Sequence, residues 1–130
     1  METIFTKIIK GEIPCYKIAE DNRFFAFLDI NPLAEGHTLV IPKKPIDYIF
    51  DLNDEDLADM MVFAKKVALA IKKIIPCQRI GVAVVGLEVP HAHIHLVPIN
   101  DVYDIDFKKE KLKLSPQRFQ EIASLISVEF

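Results

Sequence analysis

Three of the chain's four histidines fall within five residues, His91-Ala92-His93-Ile94-His95, and this spacing is the strongest chemical signal in the sequence. On an extended strand successive side chains point to opposite faces. His91, His93 and His95 would then line one side, and Ala92, Ile94 and Leu96 the other. Three readings compete for such a row. It is a solvated polar face that happens to be histidine, or part of a metal site, or a place for phosphorus chemistry. His-x-His on a strand can hold zinc through two rings. The outer histidines, however, lie roughly 13 Å apart at ~3.3 Å per residue, too far to share one ion at bonds of ~2 Å. Cys15 and Cys77 show no ligand spacing that would complete a pair. For phosphorus chemistry the residue type is apt: neutral imidazole is a competent nucleophile near neutral pH, and a neighbouring imidazolium can neutralise phosphate oxygens. The chemistry favours this third reading.

The elements that must position the histidines can be read from periodicity and punctuation. Ile4, Phe5, Ile8 and Ile9 fall one helical turn apart, with Gly11 free to end a short helix. Tyr16 to Ala19 and Arg23 to Leu28 flank the turn pair Asp21-Asn22 and read as a hairpin. Asn31-Pro32-Leu33-Ala34-Glu35-Gly36 leads into a third strand, His37 to Ile41, closed by Pro42. After Asn53 as N-cap, Leu57, Met60, Met61, Ala64, Val67, Ala68, Ile71, Ile74 and Ile75 keep helical spacing until Pro76. Asp54, Glu55 and Asp56 suit its positive end, and Lys72 and Lys73 its negative end. Arg79 to Val85 and His91 to Val97 read as two more strands, joined through Gly86-Leu87-Glu88-Val89-Pro90. Ser115-Pro116 opens a last helix bearing Phe119, Ile122, Leu125 and Ile126. The intervening segment from Asp101 to Lys113 is charged and has no periodic signal. Short turns, one long helix and small helices at the ends predict an α+β fold on an antiparallel five-stranded sheet.

A chain of 130 residues fits one domain, residues 1–130, with no linker long enough to divide it. The apolar fraction of 51 % against 27 % charged is that of a globular chain rather than a disordered one. A net charge of −3 gives no general attraction to nucleic acid or anionic lipid, so any phosphate must be met locally. With two cysteines, no apolar stretch of spanning length and no basic-then-apolar start, the expected location is the cytoplasm, without membrane attachment.

The segment His91 to Val97 resembles the His-x-His-x-His with apolar spacers that names the histidine-triad family of nucleotide hydrolases and transferases. Ile4 to Pro14, Phe27-Leu28-Asp29-Ile30-Asn31-Pro32 and Gly36 to Lys44 are similar to other segments of that family, in the same order along the chain. The resemblance covers residues 4–98 and leaves 99–130 as a C-terminal extension with a helix. It implies the family's fold and a homodimer paired along the sheet and the long helix. The implied substrate is a purine nucleoside phosphoramidate or related adenylate, cleaved to the nucleoside monophosphate.

Residue by residue, the resemblance makes His93 the nucleophile that takes the nucleotidyl group covalently. His95 and His37 would help hold the phosphate, and His91 would orient the catalytic ring. Asp29 matches the acid that accepts the ribose hydroxyls. Phe5, Ile8, Phe27 and Ile30 match the apolar slot around the base, and Gly86, Leu87 and Glu88 the loop whose backbone N–H groups approach the phosphate. Many relatives have a hydroxyl residue where this chain has Glu88, and a carboxylate there favours a cationic leaving group such as a lysine-like amine. The apolar run Val82 to Val85 replaces a polar stretch of close relatives. Where some relatives bind structural zinc through two cysteines and a histidine, this chain has Thr3, Thr6 and Pro45, so no metal and no cofactor is expected. The rivals are a dinucleoside polyphosphate hydrolase or nucleotidyl transferase using the same histidine, and a nucleotide-binding or interaction module with little turnover.

Overall fold

In the computed structural model, which describes residues 2–130, the sheet is organised around strands buried at every position. Only the first residue of the N-terminal stretch lies outside the described residues. Strands β1 (Lys17–Glu20), β2 (Phe24–Leu28), β3 (Thr38–Pro42), β4 (Arg79–Ala83) and β5 (Ile94–Ile99) form one antiparallel sheet in the order β1-β2-β3-β5-β4. All five positions of β2 and of β3 are buried, which requires cover on both faces. Phe24, Ala26, Leu28, Val40, Ile94 and Leu96 face the main core. There they meet helix α2 (Asp54–Ile74) and helix α3 (Pro116–Glu129). Phe25, Phe27, Leu39 and Ile41 face the other way, onto Phe5 and Ile8 of helix α1 (Ile4–Ile9). The strand period of two assigns His95 to this second face, opposite Leu39 in the ladder.

The helix ends follow their capping residues. The Asn53 side chain accepts the Asp56 N–H at 2.8 Å, and Ser115 accepts that of Arg118 at 3.1 Å ahead of Pro116. Thr3 and Thr6 cap α1 reciprocally, and Gly11 follows it at φ 80°. Of the apolar positions read along α2, Met61 is exposed, while Phe63 and Ala70 join the core.

The histidine segment departs from the expected single strand. β5 begins at Ile94, so His91 and His93 precede it, and Val84 and Val85 lie beyond the end of β4. The cause is competition for the backbone. The Ala92 N–H donates to the Ile46 carbonyl at 2.6 Å and the His91 N–H to Val89 at 2.8 Å, which draws residues 91–92 away from the ladder. Nor do the rings form a solvated face: His91, His93, His95 and His37 are all buried.

Gly36, just before β3, adopts φ 90°, and a Cβ there would lie 2.8 Å from Cγ1 of Ile75. Both the left-handed backbone and the contact oppose a side chain. Gly36→Ala is therefore expected to destabilise the protein by roughly 1–3 kcal/mol, read as a lowered denaturation midpoint. An unchanged midpoint would mean that the turn accommodates the methyl group.

Candidate active site

Three of the four imidazoles, His37, His91 and His93, are anchored to a backbone group whose role as donor or acceptor is fixed, and His95 is anchored through His37. Nε2 of His91 lies 2.7 Å from the Pro42 carbonyl, which can only accept, so Nε2 carries the proton. Nδ1 of His91 is then an acceptor and takes the hydroxyl proton of Thr3 at 2.8 Å. Nδ1 of His93 donates to the His91 carbonyl at 2.7 Å, which leaves Nε2 of the neutral ring as a lone pair. On the other side the Leu33 N–H donates to Nδ1 of His37 at 3.0 Å. Nε2–H of His37 then donates to Nδ1 of His95, also at 3.0 Å, and the remaining proton of His95 sits on Nε2.

Two rings are thus presented in complementary states, a lone pair on His93 and an N–H on His95, with centroids 4.9 Å apart. Neither Nε2 has a hydrogen-bond partner among the described residues. No buried side-chain nitrogen or oxygen there lacks one, so both atoms open to solvent. Phe5 stands edge-on to His93 at 5.2 Å and to His91 at 5.7 Å. Phe107 stands edge-on to His95 at 4.6 Å. The site lies between these two phenylalanines on the face of the sheet that carries α1.

Burial decides the charges. It drives His37 down to about 3 and His95 down to about 4, with a further push from neighbouring histidines, and it lowers His91 as well despite the Pro42 hydrogen bond. Asp29, at the end of β2, is raised by its burial, against the pull of the Asn31 N–H that donates to Oδ1 at 2.8 Å. Oδ2 of Asp29 lies 3.5 Å from Nε2 of His37. Asp29, His37 and His95 each offer a ligand atom within 4.8 Å of the others. A cation seated there would have to replace the His37–His95 hydrogen bond.

The structure brings His37, His91, His93, His95 and Asp29 together, with Phe5, Ile8 and Phe27 in the adjoining apolar cluster. Ile30 stands apart from that cluster, 64 % exposed. Gly86 turns the chain at φ 73°, and Leu87 and Glu88 are exposed in the loop ahead of His91, with Leu87 at 88 %. Sequence reasoning missed Thr3, the Leu33 N–H and Phe107 as contacts of the histidines. Thr3 carried a signal, the Thr-x-x-Thr spacing of a cap before an apolar run; Phe107 carried none.

The buried neutral histidines make stability depend on pH with a definite sign. Their folded values lie below the unfolded value near 6.5, so between the two the unfolded chain binds more protons, and stability falls as pH falls. The melting temperature should drop between pH 7 and about 5, above the carboxylate range. His37→Gln, which cannot take up a proton, should flatten that slope. An equal slope in the variant would contradict the assignment.

The HIT domain family model matches residues 10–102. The adenosine 5'-monophosphoramidase hnt1 of Schizosaccharomyces pombe is 38 % identical over 130 residues, covering 98 % of this chain and 97 % of the relative. An uncharacterized HIT-like protein of Borreliella burgdorferi is 37 % identical over 135 residues, covering 98 % and 97 %. The crystal structure of a Hit-like protein from Bartonella henselae superposes with a TM-score of 0.84 at 32 % identity, covering 99 % of this chain and 97 % of that one. These matches include the segment after Pro98, where the resemblance read from motifs stops. Matched by the family model over most of its length and by relatives from end to end, the chain belongs to the HIT family.

Proposed function

We propose that the protein is a nucleoside phosphoramidase, cleaving purine nucleoside phosphoramidates or adenylates through a covalent intermediate on His93. The observation that carries this reading is the protonation pattern. The Nδ1–H of His93 is committed to the His91 carbonyl, so its Nε2 lone pair is free beside the Nε2–H of His95. The name of the fission yeast relative supports the same reaction class.

In the first step Nε2 of His93 attacks the α-phosphorus and the bond to the leaving nitrogen breaks, the departing amine taking its proton from solvent. The N–H of His95 donates to a non-bridging phosphate oxygen, where charge develops. Nucleotidyl-His93 then carries positive charge on its ring, and the His91 carbonyl at Nδ1–H stabilises it. In the second step water attacks phosphorus, the P–Nε2 bond breaks and the water's proton passes to solvent. The monophosphate leaves and His93 regains its lone pair. Asp29 would accept the ribose hydroxyls through its second oxygen, and Phe5, Ile8 and Phe27 would hold the base, with Ile30 at the rim. The backbone of Gly86 to Glu88 would close on the phosphate, with Glu88 favouring an amine that leaves with positive charge.

The same reading makes the protein a homodimer. β4 is an edge strand with Val82 exposed, and Met61 and Leu69 are exposed on α2, surfaces that a second copy would cover. Among the described residues no helix is long and apolar enough to cross a membrane. The two cysteines are unpaired, which suits a reducing cytoplasm.

The test is AMP release from an adenosine phosphoramidate by the purified protein, with chelator present. His93→Ala should lower turnover by about a thousandfold or more while AMP still binds. Full activity in the variant would refute the mechanism. Nucleotide binding without turnover by the unaltered protein would favour a binding module, and preference for dinucleoside polyphosphates or transfer to a second acceptor would favour the rival enzymes.

A further inference from the structure

The segment between β5 and α3 is laid across the site. A short 3-10 helix, Val102–Ile105, brings Ile105 against β4, where a Cβ on Gly81 would lie 3.0 Å from Cδ1 of Ile105. Phe107 then places its ring on His95, with His37 at 6.2 Å. The Leu112 N–H closes the segment by donating to the Pro32 carbonyl at 2.9 Å, three residues from Asp29. Residues 106–112 are thus a strap pinned at both ends, facing α1 across the histidines.

Lys111 sits inside this strap, half-buried. Its ammonium donates to the carbonyls of Phe107 and, at 3.0 Å, Lys109. Lys109 has a carboxylate partner in Asp104, whereas Lys111 pairs with no carboxylate among the described residues. Its charge nonetheless reaches the site, opposing the rise that burial gives Asp29 and adding to the fall that burial gives His37. The site is otherwise short of positive charge. His37 and His95 are neutral near pH 7, and Glu88 and Asp29 are acids whose charges act on one another.

Resting on the nucleotide reading above, we propose that the strap is the second flank of the nucleotide site and that Lys111 supplies the positive charge that holds the substrate's phosphate. Its ammonium exchanges the Phe107 and Lys109 carbonyls for a phosphate oxygen. Backbone carbonyls are weaker partners for an ammonium than an anionic oxygen, which makes the exchange favourable when a phosphate arrives. Phe107 holds the strap in place and keeps water from the His37–His95 hydrogen bond.

Calorimetric titration of AMP and of adenosine separates charge from packing. Lys111→Gln keeps an N–H donor but loses the charge, so the Kd for AMP should rise about five- to tenfold while that for adenosine stays the same. Lys111→Arg should restore AMP binding. Lys113→Gln, which removes the same charge at an exposed neighbour, should change neither. Unaltered AMP affinity in Lys111→Gln, or an equal loss for adenosine, would overturn the assignment while leaving the nucleotide reading intact. An unaltered protein that binds no AMP would overturn both.

Discussion

A backbone amide can only donate and a backbone carbonyl can only accept, and the four imidazoles of this protein are each tied, directly or through one neighbour, to such a group. The Leu33 amide fixes His37, and His37 fixes His95. The Pro42 carbonyl fixes His91, whose own carbonyl fixes His93. Each ring, when neutral, is therefore held in one tautomer. The outcome is one ring presenting a lone pair beside one presenting a proton, as attack on phosphorus with stabilisation of the developing anion requires.

That arrangement depends on the sheet being covered on both sides. Burial keeps His37 and His95 neutral near pH 7, and burial comes from α1 and the strap on the face that α2 and α3 leave free. Thr3 links the two tasks. Its hydroxyl caps α1 and also donates to His91, so the helix that brings Phe5 to His93 is locked to the segment that carries both rings. The Leu33 amide depends in turn on the tight turn at Gly36, since His37 can lie beneath that loop only if the chain reverses there. Neutralising the rings has a consequence: His37 and His95, held uncharged, offer hydrogen bonds rather than charge to whatever the site binds.

Much of this was legible from residue order. The hairpin around Asp21-Asn22, the helix from Asn53 to Pro76 and the Ser115-Pro116 start each follow from local rules, because capping and periodicity act within a few residues. The histidine cluster was legible for the same reason. Its geometry was not: alternation predicted three rings along one strand, whereas Ala92 is claimed by the Ile46 carbonyl, a partner 46 positions away in sequence that no local pattern reveals. Ile30 lies past the end of β2 and is exposed, a placement set by where the strand stops. The strap was the least legible element. Phe107 and Lys111 sit in a charged stretch without period, and their proximity to His95 and Asp29 arises from tertiary folding alone.

Backbone anchors select the tautomers, and long-range proton–nitrogen NMR correlation of the four imidazoles tests this most directly. Spectra taken at about pH 8, where an ordinary imidazole is neutral, report which nitrogen of each ring carries the proton. The expected result is Nε2–H for His37, His91 and His95, and Nδ1–H for His93 alone. A proton on Nε2 of His93 would remove the lone pair on which the proposed chemistry depends, and would contradict it.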